Sequence, residues 1–289
     1  MPPEAGLTEV VAGALGVSTT EAAAALRGHG GTGVVHVDAR AAFLKCLPRD
    51  EGEALAAEAD GLAALAGTPG LRVPAVLACA EAGGRAFLLT EYIALRPARG
   101  AASAALGEAV AALHARCGER HGWHRDNFIG ATPQPNTPDT HWARFYREQR
   151  LRPQWQRARQ NGAGAALLRA VEQVMERLPA RLEGHQPAPS LLHGDLWAGN
   201  AAADAQGRPV LYDPAVHYGD RECDLAMAAL FGGFDADFSA AYEAAWPLPE
   251  GHRQRRPLYQ LYHLLNHFNL FGGAYEASAR RAAEAFLAD

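Results

Sequence analysis

The stretch LLHGDLWAGN, Leu191 to Asn200, decides how the rest of the chain is read, together with VLYDPA, Val210 to Ala215. Asp195 and Asn200 stand five residues apart, and Asp213 follows thirteen residues after Asn200, at the end of an apolar run. The pattern puts Asp195 and Asn200 on one loop. A strand ending at Tyr212 then delivers Asp213 beside them.

This order and spacing match a D-x-x-x-x-N loop followed by a separate metal-binding aspartate. Phosphoryl transfer to an alcohol needs one carboxylate aimed at the attacking hydroxyl and two oxygen ligands for a magnesium ion on the nucleotide phosphates. Asp195 suits the first task, Asn200 and Asp213 the second. His193 is expected to orient the loop rather than to react. Trp197 is read either as packing or as a flat platform for a sugar ring.

With 289 residues, 48% of them hydrophobic, the chain can bury a sizeable core in one large domain or two lobes. A net charge of -5 argues against a general nucleic-acid binder. MPPEAGLTEV at the start lacks the basic and apolar segments of a signal peptide, and no window has the apolar length of a membrane span. The four cysteines, Cys46, Cys79, Cys117 and Cys223, form no C-x-x-C pair. A reduced, cytoplasmic protein is the expectation.

Helical periodicity covers Glu4 to Leu15 and Thr20 to Leu26. RGHGGTG, Arg27 to Gly33, reads as a turn before two strands, VVHVDA and AAFLKCL. Asp50 and Glu53 resemble a capping box at the start of a helix running to about Ala66. Pro74 to Ala80 and Arg85 to Ile93 read as two more strands. Helices are then expected over Ala101–Cys117, Trp142–Gln160, Ala165–Leu182, Asp224–Phe231, Asp237–Ala245, Pro257–Phe271 and Glu276–Leu287. The fold class is therefore α+β and bilobal: a small N-terminal antiparallel sheet with one long helix, then a larger, mainly helical lobe. The divisions are residues 1–93, a linker over 94–100, and 101–289, with a nucleotide expected in the cleft between lobes.

Lys45 lies within an apolar strand, a costly place for an unpaired charge. It reads as a phosphate-contacting lysine held by a carboxylate of the next helix, Glu58 being better placed than Glu53. RGHGGTG presents backbone N–H groups that suit phosphates, although a plain hairpin turn fits it too, and it departs from the P-loop pattern. Asp220, Arg221, Glu222 and Asp224 crowd the start of a helix, where Asp220 or Asp224 serves as a cap and Arg221 and Glu222 as an ion pair, with substrate contact as the alternative for Arg221. His263 and His267 share a helical face but lack the glutamate of an H-E-x-x-H zinc site, so packing is the reading preferred.

Taken together, AFLKCL, EADGLAALAG, RVPAVL, FLLTEYI, LGEAVAALHA, DNFIGATPQPN, HGDLWAGN, YDPAVHYGDRECDLAM, LFGGF and LYHLLNHFNLFGG resemble the fructosamine kinase (ketosamine-3-kinase) family over nearly the whole chain. That family is related to aminoglycoside and choline phosphotransferases, with a protein-kinase-like fold. The resemblance implies ATP and Mg2+ as cofactors and a ketosamine, free or on a glycated protein lysine, as the partner. Asp195 would deprotonate the accepting 3-hydroxyl, Asn200 and Asp213 would bind magnesium, and Lys45 with Glu58 would contact the phosphates. Gly30 and Gly31 would cover the phosphates, and Glu91, Tyr92 and Ile93 would touch adenine. Trp197 would line the ketosamine pocket, with His217, Asp220 and Arg221 as further substrate residues. The phosphorylated product is unstable and releases its amine, so the implied activity is deglycating.

Three departures stand out. The glycine-rich loop reads GHGGTGVV rather than GGSIN. No cysteine lies between Gly28 and Lys45, so no disulfide-switched dimer is expected, and the oligomeric state stays open, with a monomer allowed. His217 stands for a more usual tyrosine and Asp220 for a histidine. The competing readings are a same-fold kinase for an aminoglycoside- or choline-like amine, a metal-dependent phosphoesterase, and a non-catalytic nucleotide binder.

Overall fold

The computed structural model describes residues 5–27 and 31–288. Gly30 and the first residue of the expected opening helix, Glu4, lie outside them. Helices α1 (Ala5–Leu15) and α2 (Thr19–Leu26) precede strands β1 (Gly33–Val37) and β2 (Arg40–Pro48). Helix α3 (Gly52–Leu65) follows, then β3 (Val76–Ala82) and β4 (Arg85–Glu91). The strands form one antiparallel sheet in the order β1-β2-β4-β3, with Lys45 opposite Leu88.

Alternation along β2 explains where Lys45 points. Successive side chains of a strand leave by opposite faces. Ala42 and Leu44 join Val11, Leu15, Leu26, Phe87 and Leu89 in the core under α1 and α2. Lys45, next after Leu44, therefore faces α3, beside the small cluster of Leu55, Ala86 and Leu88.

The expected capping box at Asp50 and Glu53 does not form. Arg49–Glu51 is a turn of 3-10 helix, and the residue at the cap, Glu51, makes no side-chain cap bond. Glu53 instead pairs with Arg125 of the helical half. A contact across the molecule takes the carboxylate that a local cap would have used.

Beyond β4 the chain is mainly helical. Helix α4 (Ala101–His114) ends three residues before the expected Cys117, and a hairpin of β5 (Asn127–Ile129) and β6 (Thr132–Gln134) follows. Helix α5 (Trp142–Phe145) continues through a π-helical turn, Tyr146–Leu151, into α6 (Arg152–Gln160), and α7 (Ala165–Arg181) follows. Four short strands then frame the loop motifs of residues 193–200 and 212–216: β7 (Ser190–Leu192), β8 (Ala201–Ala203), β9 (Pro209–Leu211) and β10 (His217–Gly219). Helices α8 (Glu222–Leu230), α9 (Ala236–Ala245), α10 (His252–Phe271) and α11 (Glu276–Ala288) close the chain. The main core packs Trp142, Phe145, Val171, Leu178, Tyr259 and Phe268 among these helices. Among the described residues no helix is long and apolar enough to cross a membrane.

The sheet and the helical part are laced together near the loop motifs. Trp123 Nε1 donates to Asp60 at 2.7 Å, and Arg72 spans Glu91 and Asp204. Backbone bonds from Arg72 to Pro209 and from Arg96 to Ala203, each 2.8 Å, tie the segment before β3 to β9 and the segment after β4 to β8.

Candidate active site

Paired strands set the two loops that carry the candidate groups. β7 pairs with β10 and β8 with β9, so residues 193–200 and 212–216 cross each other between the pairs. Gly194 makes this crossing possible. It holds φ +84°, and a Cβ there would sit 2.0 Å from the Ala215 carbonyl oxygen. Only glycine meets both conditions.

Below the loop lies a buried carboxylate. Asp224 accepts the backbone N–H groups of His193 at 2.7 Å and Gly194 at 2.9 Å, and meets His114 Nε2 at 3.1 Å. Burial alone would raise its pKa, but hydrogen bonding to His114 and the loop holds it below the ordinary carboxylate value. His193 is buried, and its Nε2 reaches the Tyr212 carbonyl at 3.0 Å, which links the two crossing segments. Its place is that of an orienting group. The polar run before an apolar helix offers Asp220 or Asp224 as its cap; Asp220 accepts the Glu222 N–H there, and only packing shows that the Asp224 carboxylate turns back to the loop.

Asn200 donates from Nδ2 to Asp195 O at 3.0 Å and to Asp195 Oδ2 at 3.1 Å. Burial drives the Asp195 carboxyl up to about 7, partly opposed by this hydrogen bond and assisted by the charges of Asp224 and Asp213. Lys45 Nζ lies 2.8 Å from both Glu58 oxygens and 2.8 Å from Asp213 Oδ1. Burial would lower the lysine pKa, yet its two carboxylate partners raise it above the ordinary value. Burial raises Glu58, with Asp213 adding to the effect and Lys45 opposing it. Asp213 itself adopts the left-handed region, φ +55°, unusual for a non-glycine residue.

Two cavities meet at this triad. One, about 340 Å³, is lined by Asp195, Trp197, Asn200, Asn127, Phe128 and Gly130. The other, about 530 Å³, has apolar walls from Val34, Phe43, Leu62 and Leu95, with Glu91, Tyr92 and Ile93 along one edge. Thr32, Lys45, Glu58 and Asp213 line both. Gly31, at positive φ just before β1, lines neither, and the Glu91 carboxylate is engaged by Arg72.

Three expected substrate residues lie elsewhere. His217 is buried, stacked on Phe145 and bonded to the Ala215 carbonyl. Asp220 is buried and bonded to His185 and Tyr259, each at 2.6 Å, and to the Glu222 N–H. Arg221 donates to Tyr242 and to the Trp246 and Pro247 carbonyls. None of the three lines either cleft cavity, because interior partners use their polar atoms. The expected Arg221–Glu222 pair is absent too: Glu222 takes both its hydrogen bonds from Arg255.

The segment DNFIGATPQPN, a hairpin of β5 and β6, supplies a wall of the first cavity through Asn127, Phe128 and Gly130. Gln134 and Asn136 both donate to Asn127 Oδ1, at 2.8 and 2.9 Å. Asn127 then donates to the Val216 carbonyl at 2.7 Å and Gln134 to that of Ala215 at 3.1 Å. The hairpin thereby fixes the chain just past Asp213.

Comparison with known proteins agrees with this architecture. The model of the fructosamine kinase family matches residues 17–289. A probable ketoamine kinase of Synechocystis sp. is 43% identical over 240 residues, covering 83% of this chain and 80% of that protein. A crystal structure of a putative fructosamine-3-kinase from Thermobifida fusca is 39% identical, with a TM-score of 0.79 and 89% of each chain covered. One from Haemophilus somnus has a TM-score of 0.80 at 31% identity, covering 88% of this chain and 86% of that one. The bilobal, protein-kinase-like α+β fold is thus the one observed.

Proposed function

The chain belongs to the fructosamine kinase family and is an ATP-dependent kinase, and from that premise we propose that it phosphorylates the 3-hydroxyl of a ketosamine, a fructosamine or ribulosamine, free or on a protein lysine. The observation that carries this reading is the junction of the two cavities. The apolar cavity, edged by Glu91, Tyr92 and Ile93, takes adenine, and Lys45 with Glu58 meets the phosphates. The cavity with Asp195 and Trp197 takes the sugar.

Asp195 accepts the proton of the attacking hydroxyl as the new O–P bond forms and the bond from the γ-phosphorus to the departing ADP oxygen breaks. A carboxyl titrating at about 7 suits that task, since a base is most effective when its pKa lies near the working pH. Asn200 orients it through Nδ2, which leaves the amide Oδ1 for a cation. That oxygen and the half-exposed Asp213 carboxylate form an all-oxygen donor set, which fits magnesium. Bound Mg2+ would offset the negative charge of the nucleotide phosphates. The phosphorylated adduct then decomposes with release of phosphate and the amine, which would make the enzyme deglycating.

The test is ATP-dependent turnover of ribulose-lysine, fructose-lysine and an aminoglycoside in parallel, with the phosphorylated carbon located by NMR. Phosphate on the 3-position of a ketosamine supports the reading. Turnover of the aminoglycoside alone overturns it.

A further inference from the structure

Four rings form an open aromatic surface that the proposed chemistry leaves unused. His267 lies 4.7 Å from Phe231, 5.6 Å from Phe271 and 5.1 Å from Tyr275, centroid to centroid. Phe271 is 66% exposed and Phe231 42%, so the group is not a core cluster seen edge-on. Burial lowers the His267 pKa, which keeps its ring neutral and compatible with its neighbours. Contiguous exposed apolar surface of this kind marks a place of contact.

Two contacts link neighbours of these rings to the surroundings of the first cavity. Gly233, two residues past Phe231, packs on Ala198 so closely that a Cβ would come within 2.3 Å, and Ala198 is the neighbour of Trp197. On the other side a Cβ on Gly130, which lines that cavity, would lie 3.3 Å from Leu270 Cδ1, the residue before Phe271. Through Ala198 and Leu270 the aromatic group thus stands near Trp197 and Gly130, which line that cavity. A ketosamine whose sugar occupies the cavity must carry its amine substituent beyond it, and this apolar surface lies nearby.

Resting on the ketosamine reading, we propose that Phe231, His267, Phe271 and Tyr275 form a subsite for the substituent on the ketosamine nitrogen, selecting long aliphatic or aromatic carbon skeletons over short ones. Rings bind such groups by covering apolar surface and by stacking, and none of the four carries a charge that would select a polar substituent.

The experiment compares two acceptors with the same ketose, one bearing N-methyl and one N-hexyl, in the wild type, in Phe271→Ser and in Phe231→Ala. Wild-type kcat/KM is expected to favour the hexyl compound by about tenfold, the scale of one or two aromatic contacts. Each substitution should cut that ratio by about threefold or more, mainly through KM of the hexyl compound. A wild-type ratio near one, or a ratio that both substitutions leave unchanged, overturns the subsite. Phosphorylation of neither ketosamine by the wild type would instead overturn the ketosamine reading on which the subsite rests.

Discussion

Asp224 Oδ1 accepts the Gly194 N–H at 2.9 Å from inside the helical core, one residue before Asp195. The shape of the candidate catalytic loop is thus set from beneath, by a carboxylate that no solvent reaches. Asp224→Ala would leave two loop N–H groups and the buried His114 without their partner. We expect a loss of about 3–5 kcal/mol in stability, since each buried polar group left without a partner costs about 1–3 kcal/mol. Asp224→Asn keeps one acceptor oxygen and should cost less. Urea unfolding of both variants, set beside turnover at a temperature where each is folded, checks the order.

The Asp195 carboxyl, raised from 3.8 to about 7, gives two pH effects. Only its ionised form can take a proton, so kcat/KM should rise with pH through about 7 and then level. Asp195→Asn should lower turnover by about two to four orders of magnitude. Stability runs the other way. A raised folded pKa means that the folded state holds the proton more tightly, so this group's contribution is present below 3.8 and lost as pH rises to about 7. Asp195→Asn should therefore be more stable than wild type at pH 8, with the difference vanishing near pH 4. Thermal melts across that range provide the comparison, and a gap that widened at low pH would contradict the assigned shift.

Helix α3 carries Glu58 and is fastened to the helical half by several contacts, among them Trp123 to Asp60 and Arg125 to Glu53. Trp123→Phe keeps a ring but removes the indole donor, leaving the partly buried Asp60 with one bond fewer. A net hydrogen bond to a charged group is worth about 1.5–3 kcal/mol. If part of that restrains α3, KM for ATP should rise by about threefold to tenfold with a smaller change in kcat. Steady-state kinetics with varied ATP would show it; an unchanged KM would mean that α3 keeps its place without the tether.

For the cation, Asp213→Asn removes a negative ligand and the partner of Lys45 at 2.8 Å. We expect the Mg2+ concentration for half-maximal turnover to rise by about tenfold or more, and chelation with EDTA to abolish turnover in the wild type. A titration of activity against free Mg2+ decides. Equal magnesium curves for the variant and wild type would remove Asp213 from the cation site.

The parts of the site that share one local motif were legible in the chain. Asp195 and Asn200 lie on one loop, and Lys45 is read from the alternation of its strand, with Glu58 placed at its side by the helix that follows. The misreadings came where polar groups find distant partners. Asp220 and Arg221 carry the charges of surface residues, yet Tyr259, His185 and two backbone carbonyls from the connection after α9 hold them inside. Glu53 abandons a cap for Arg125. The walls of the first cavity were hidden for a related reason. Asn127 and Phe128 sit on three-residue strands, too short to show a period, and the hairpin is held by side-chain amides whose partners lie 81 and 89 residues away.

The 2.8 Å approach of Lys45 to both Glu58 and Asp213 has a bearing on how the two halves of the chain hold together. One ammonium sits between two acids contributed by opposite sides of the cleft. Left alone, those two carboxylates would repel each other; with the ammonium between them they share one counterion. A single lysine thereby stitches the sheet to the helical half at the junction of the two cavities.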